Sequence, residues 1–515
     1  MKYVVVDNTE WTYPDFDFTS YQSASQFISA FTPRNTTVCA QVLLRDLPNE
    51  KTPDIRFEGV NGDVMELYPI YVEGNANLKP EEYLPHFPER LAPFWEYDCI
   101  RPLGDTLTVM DGVAGLYVRF PISKNAEAGL LNGVVKIDEI EIPVEIEVAD
   151  VTLPDDTSLK FINCYNFDKM VEYHKVERGT PTCEELDTAY LKMMRTMHQN
   201  MLYTPLPKVI DKGNNKYEFD FTELDKFLTK TEALGYQYYF LGDIAHRVSW
   251  QQSTLMVNGL EAMSYEGYRF MSQYLPTLQT YLEEKGVVDK FYIGIVDEPN
   301  EASATEFRAL AGIVRKFAPK LRLLDALSLC SVYGGLDVWV SLNADYQKNQ
   351  AAFEDFRNSG DELWYYVCCL PRQEGFINRF MDIPLLATRY LFWGNYKYNL
   401  AGYLHWAVNQ YQPDQDPFVQ NCPTHRNADS VGLLPPGDTH LIYPGSDGPW
   451  MSMRLEAHRE SAEDYELLCA LRKKDKALAD EICDTCFTSF NEVDYDLKRF
   501  KSTRRKLVEA LASNK

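Results

Sequence analysis

The chain has no long apolar run: no stretch approaches 18 uninterrupted apolar residues, so a helical membrane span is not expected. Met1 to Trp11 shows no basic region followed by an apolar run, so no signal peptide is visible, and a cytoplasmic enzyme of bacterial type is expected. Positive charge is scarce. With 51 Lys and Arg against 76 Asp and Glu, the formal net charge is −25, a field that repels nucleic-acid backbones and anionic membrane surfaces. The 11 cysteines are scattered and odd in number; Cys483 and Cys486 form a lone CxxC, and Cys368 and Cys369 are adjacent. No zinc-type pair of CxxC motifs is present, which fits a reducing compartment. The eight histidines include no HExxH, and His425 and His440 lack ligand spacing, so no metal is expected. There is no GxSxG and no nucleotide glycine fingerprint; Gly334-Gly335 reads as a turn. No cofactor is implied.

What is abundant is aromatic. Tyr (33 residues) leads an aromatic content of 13%, and Tyr and Trp pair an apolar face with a polar handle, as sugar-binding surfaces do. Ordinary core packing accounts for most of them. At 515 residues the chain has room for two or three domains.

Residues 1–152 read as a β-sandwich. Short segments such as Thr37–Leu44, Val64–Val72, Thr106–Val109, Gly115–Phe120, Gly133–Ile137 and Ile140–Val148 are punctuated by Gly, Pro, Asn and Asp. The run Asp150–Asp156 reads as a linker. Beyond it, strands alternate with helices, which predicts a parallel sheet. Eight candidate strands are Leu159–Cys164, Asn200–Thr204, Tyr236–Leu241, Phe291–Val296, Leu321–Asp325, Val338–Leu342, Leu363–Val367 and Gly402–Trp406. Helices are expected over Cys183–His198, Phe221–Ala233, Tyr265–Glu284, Ala302–Phe317 and Asp382–Tyr398. Eight βα units over residues 153–470 predict a (β/α)8 TIM-like barrel. Residues 471–515 are expected to add helices packed on that barrel. Leu455, His458, Ala462, Tyr465 and Cys469 mark one buried face of a long helix, with Ser452 as its N-cap.

The chemistry centres on Phe291–Pro299, an apolar run that ends in Asp297, Glu298 and a proline. In a barrel, the C-terminal strand ends form the floor of the active site. Two carboxylates there cost desolvation and repel each other, which raises at least one pKa and separates an acid from an anion. The bland alternative is a pair capping the next helix, where negative charge is favourable; the position at the fourth of eight strands argues against it. Adjacency constrains the mechanism. Neighbouring residues do not easily straddle a sugar as acid and opposed nucleophile. One can protonate the leaving oxygen while the other orients a group of the substrate, as in cleavage assisted by a 2-acetamido oxygen.

Several segments resemble glycoside hydrolase family 123. They are Leu363–Pro371 with Asn378, Arg389–Trp393, Gly402–Trp406, Gly437–Gly445, Met453–Arg459 and Glu463–Leu468. The resemblance spans about residues 110 to 470 and is sharpest from 363 to 468. It implies a retaining exo-β-N-acetylgalactosaminidase in which Asp297 orients the acetamido group and Glu298 serves as general acid and then base. Further pocket candidates follow from strand ends: Trp406 as an apolar floor, Asn409 and Tyr411 beyond it, Tyr366 as donor to the acetamido carbonyl, and Asn378, Asp243, His246 and Tyr443 as substrate contacts. Arg454, Arg459, Glu463 and Asp464 read instead as a salt-bridge network. The expected partner is an oligosaccharide or glycoconjugate, with no nucleic acid or membrane, and a homo-oligomer is left open. Two competing readings are another β-glycosidase, such as a β-N-acetylglucosaminidase, and a non-catalytic carbohydrate-binding barrel. Against the second, a pure binder gains nothing from the repulsion of Asp297 and Glu298.

Overall fold

A computed structural model describes residues 1–47, 50–85, 87–412, 414–422 and 432–512; His425 lies outside the described residues. The N-terminal region is built of two β-sheets. Lys2–Asp7, Thr36–Arg45, Val113–Ile122, Asp63–Val72 and Phe94–Arg101 lie side by side in one. Ile28–Arg34, Ile140–Thr152, Gly129–Ile137 and Ile55–Glu58 form the other. Successive side chains on a strand point to opposite faces, so Val38, Ala40, Val42 and Leu44 share a face. They meet Ile142, Val144, Ile146 and Val148 of the second sheet in one apolar cluster. Thr106–Val109, expected as a strand, is not one; Thr106 makes only an isolated bridge to Lys51. The expected linker at Asp150 begins later, because the strand continues to Thr152. The first sheet is completed by Tyr443–Gly445 and Gly448–Ser452, the second of which pairs antiparallel with Phe94–Arg101. Residues that follow the parallel sheet thus finish the N-terminal β layer.

The eight parallel strands are Lys160–Asn163, Met201–Tyr203, Tyr238–Asp243, Phe291–Gly294, Arg322–Leu327, Val338–Leu342, Glu362–Tyr366 and Gly402–His405. Each of the last six pairs with the strand before it, and the eighth pairs back onto the first. The remaining seam, between the first and second strands, is closed by amide side chains. Gln199 Oε1 accepts from Asn163 N (3.0 Å) and its Nε2 donates to Asn163 O (3.1 Å). Asn200 Oδ1 accepts from Phe161 N (3.1 Å) while its Nδ2 donates to Leu159 O (2.9 Å). The sheet is therefore a near-barrel. It departs from a regular (β/α)8 pattern in another way: the fifth strand passes to the sixth through residues 328–337 without a helix. The helix expected over Asp382–Tyr398 is two helices, Leu385–Arg389 and Leu391–Tyr398.

The helix Met453–Lys474 differs most from expectation. Ser452 caps it, its side chain accepting from Leu455 N (3.0 Å). Its first turns, however, are buried on every side rather than along one stripe, and include Arg454, Glu456, His458, Arg459, Glu463 and Asp464. The charges are tolerated because each has a partner. Arg454 and Asp98, both fully buried, meet at 2.8 Å, and Tyr443 Oη donates to the same Asp98 carboxylate at 2.6 Å. Arg459 pairs with Glu456 and Glu463, and Arg389 and Arg504 with Asp464. Asp98 sits on the N-terminal strand Phe94–Arg101, so this ion pair ties the β layer to the helix. Asp98→Ala leaves a guanidinium buried without its partner and should cost about 3–5 kcal/mol, read as a lower denaturant midpoint. A midpoint unchanged from wild type would show that the pair does not hold the two regions together. Among the described residues no helix is long and apolar enough to cross a membrane.

Candidate active site

The fourth strand ends at Gly294, and the chain then turns through Ile295 and Val296, both buried, before Asp297 and Glu298 emerge. Asp297 is exposed to solvent and Glu298 half-buried. Glu298 has φ +43°, in the left-handed region that a non-glycine residue rarely adopts. Arg247 holds this turn, its Nη2 donating to the carbonyls of Asp297 (2.8 Å) and Glu298 (3.0 Å). The same guanidinium lies 4.5 Å above the ring of Trp250, which is 55% exposed. The next helix, Ala304–Phe317, has Ser303 as its N-cap with no side-chain cap bond, and Asn300 Oδ1 accepts from Ala302 N (3.1 Å) and Ser303 N (3.3 Å) just ahead of it. The carboxylate pair therefore does not serve as that helix's cap.

The electrostatics separate the two groups from ordinary surface acids. Desolvation raises the pKa of Asp297, with the charge of Arg247 opposing it. Glu298 is raised by desolvation first and by the neighbouring Asp297 charge second, while the Tyr366 hydrogen bond opposes. Tyr366 ends the seventh strand, and its Oη donates to Glu298 Oε1 at 3.0 Å.

A second acidic pair lies beneath the first. Asp243 ends the third strand and Asp325 lies on the fifth, so both flank Gly294 on the fourth. A Cβ at position 294 would sit 2.0 Å from Asp243 Oδ1 and 2.9 Å from Asp325 Oδ1, so only glycine admits both carboxyls there. Asp325 Oδ2 accepts from Ile295 N at 3.0 Å, and Asp243 accepts from the backbone of Asp297 and bonds Asp325. Burial raises both; the charge of Asp297 adds to it at Asp243, which is pushed to about 7, and the charge of Asp243 adds to it at Asp325, which lies well above the carboxylate range. The pair shares a proton and holds the turn that carries Asp297. Its stabilising contribution is full below the unfolded value near pH 4 and is lost as pH rises through about 7. Asp325→Asn supplies a permanently neutral donor. The fall in Tm between pH 4 and pH 8 should therefore shrink in this variant, and an identical pH profile would contradict a shared proton.

The remaining expected contacts divide. Trp406 is half-buried, and its Nε1 reaches both oxygens of Asp438 (3.2 and 3.3 Å), which also lies 3.3 Å from His405 Nε2. Its ring is held at the end of the eighth strand with part of its surface open. His246 is exposed on the rim, where its backbone bridges Met256. Four residues are turned to structural work. Asn409 is buried and spends both ends of its amide on the backbone of Asn166 (2.8 and 2.9 Å). Asn378, also buried, donates to the carbonyls of Cys368, Leu370 and Pro371 and accepts from Arg379 N. Tyr411 donates to Ile442 O, and Tyr443 donates to Asp98 within the N-terminal sheet. Arg247, Asp325, Asp438 and Trp250 were not anticipated. Asp325 could have been noticed as a carboxylate at the end of the strand beside the Asp-Glu strand. Nothing local distinguishes Arg247.

The glycoside hydrolase 123 catalytic domain profile matches residues 167–471. A family 123 glycoside hydrolase from Clostridium perfringens, studied for glycolipid glycan hydrolysis, superposes with TM-score 0.76 at 14% identity over 99% of both chains. A family 39 glycoside hydrolase from Bacteroides cellulosilyticus WH2 gives TM-score 0.37 at 11% identity over 85% of this chain and 82% of its own. A comparison with curated protein sequences gave no match. The profile covers more than half of the sequence and includes the turn bearing Asp297 and Glu298: the chain belongs to glycoside hydrolase family 123 and is a glycoside hydrolase.

Proposed function

We propose that this hydrolase releases terminal β-linked N-acetylgalactosamine with retention of configuration, the acetamido oxygen of the substrate attacking the anomeric carbon. The observation that carries the reading is that Asp297 and Glu298 are consecutive residues of one turn. An acid and an opposed enzymatic nucleophile must lie on either side of the scissile bond. Here the neighbouring carboxylates are engaged elsewhere, Asp243 with Asp325 and Asp438 with Trp406 and His405. The substrate then supplies its own nucleophile. Glu298, with its raised pKa, delivers a proton to the leaving oxygen. Asp297, exposed in the site, accepts the acetamido N–H, aligns the carbonyl for attack and stabilises the positive charge of the oxazoline-type ring that forms. Water then opens that ring, with Glu298 as base. Trp406 offers its open face to the C–H surface of the sugar. Tyr366 holds Glu298 in place, and its hydroxyl is the proposed donor to the acetamido carbonyl. The partner in this scheme is a glycan or glycoconjugate.

A panel of 4-nitrophenyl β-glycosides tests the assignment. Turnover of the N-acetylgalactosaminide, well above that of the N-acetylglucosaminide, is the expected result. Preference for the N-acetylglucosaminide would move the specificity while keeping the mechanism. Cleavage confined to sugars without a 2-acetamido group would overturn the assisted route.

A further inference from the structure

Of the eight tryptophans, Trp250 alone is exposed, at 55%. Trp11, Trp339, Trp364 and Trp393 are fully buried, and Trp95, Trp406 and Trp450 half-buried. An indole left in water forgoes the burial of a large apolar side chain, so the place where it is left carries information. Trp250 lies in the loop that follows the third strand, Tyr238–Asp243, beside the strand that leads to Asp297 and Glu298.

That loop is built onto the catalytic turn. Gln252 N donates to Ser249 O (3.1 Å) and Val248 N to Gln252 Oε1 (3.1 Å), which folds the loop around Trp250. Asn300, two residues after Glu298, donates from Nδ2 to Trp250 O at 2.9 Å. Arg247 grips the carbonyls of Asp297 and Glu298 while its guanidinium lies 4.5 Å from the centre of the indole, backing one face of the ring with a cation. The indole is thus fixed to the turn that bears both carboxylates and still presents much of its surface to solvent. A ring held in this way loses little freedom when a ligand covers it.

Trp250 and Trp406 approach the reacting pair from different parts of the sheet. The eighth strand, which Trp406 follows, pairs with the seventh, from which Tyr366 reaches Glu298. Trp250 follows the third strand, which pairs with the fourth. If the cleaved sugar rests on Trp406, the group it is joined to departs past Glu298, the acid that protonates its oxygen. We propose that Trp250 is the platform of a leaving-group subsite, where its open face stacks on the C–H surface of a second pyranose. The substrate is then a glycan of at least two sugars, and the subsite rests on the roles given above to Glu298 and Trp406.

The full-length enzyme is assayed on matched substrates: a methyl β-glycoside, and disaccharides in which the same sugar is β-1,3- or β-1,4-linked to galactose. Aryl glycosides are avoided because their ring can itself stack on an indole. In the wild-type enzyme a disaccharide should have the higher kcat/KM. Trp250→Ala should lower the ratio of disaccharide to methyl glycoside kcat/KM about tenfold, the scale of one lost aromatic contact, chiefly through KM. Trp250→Tyr should restore most of the ratio. Because the ratio is taken within each variant, any loss of folded enzyme cancels. A ratio unchanged in Trp250→Ala, whether both substrates slow together or neither does, would overturn the subsite and leave Trp250 as a support for Arg247. Wild-type enzyme that cleaves the methyl glycoside but neither disaccharide would overturn it as well. If the aryl glycoside panel selects a terminal sugar other than N-acetylgalactosamine, the matched substrates carry that sugar, so a wrong specificity and a wrong subsite give different results.

Discussion

Glu298→Gln should lower kcat/KM by ~10²–10⁴ for glycosides with poor leaving groups, the range that positioned general acids contribute. Glutamine keeps the shape and can still accept the Tyr366 hydroxyl at the place where Glu298 Oε1 now does, at 3.0 Å. What is lost is the proton. An aryl group whose phenolate leaves without protonation should be spared in the first step, so the deficit should shrink as the leaving group improves. The alkaline limb of the pH profile reports loss of that proton. It should lie above the ordinary Glu range, because desolvation and the Asp297 charge raise Glu298, and it should vanish in the Gln variant. Equal losses for good and poor leaving groups would place the acid elsewhere.

The second large effect belongs to Asp297. Asp297→Asn should cost ~10²–10³ in kcat, as removal of a preorganised electrostatic contact does, and it should do so for activated and unactivated substrates alike. In the proposed scheme the carboxylate accepts the acetamido N–H and faces the positive charge that develops as the ring closes; an amide carbonyl would accept the bond but would not answer the charge. The contrast between the two variants therefore separates their roles: leaving-group dependence for Glu298, none for Asp297. Structure gives each a distinct support, Tyr366 on the Glu298 side chain and Arg247 with the acidic pair Asp243–Asp325 on the turn that carries Asp297. If Asp297→Asn showed the same leaving-group dependence as Glu298→Gln, the division of labour would fail.

The strands of the near-barrel were legible because parallel strands buried on both faces read as short apolar runs between helical patterns. The Asp-Glu turn was legible because two carboxylates interrupt such a run. What local pattern could not show was pairing across the chain. Asp243 and Asp325 each sit at a strand end in the sequence, but only sheet order brings them together on either side of Gly294. Polarity at strand ends is ambiguous in sequence. Asn378, Asn409, Tyr411 and Tyr443 are candidate contacts by position, yet each is buried and spends its polar atoms on loop carbonyls or on Asp98. A buried amide at a loop crossing looks the same in sequence as an amide facing a ligand. The full burial of the helix Met453–Lys474 is hidden for a related reason: it rests on ion pairs with partners such as Asp98 far away in sequence, so its hydrophobic stripe understates it.

The most direct test of the mechanism varies the acyl group itself. Aryl β-galactosaminides bearing N-acetyl, N-fluoroacetyl, N-difluoroacetyl and N-trifluoroacetyl groups differ little in size, but the nucleophilicity of their carbonyl oxygen falls along the series. If that oxygen attacks the anomeric carbon, log(kcat/KM) should decline steeply with each fluorine in the wild-type enzyme. A flat dependence, with the trifluoroacetyl compound cleaved as fast as the acetyl one, would show that the nucleophile comes from elsewhere and contradict the account.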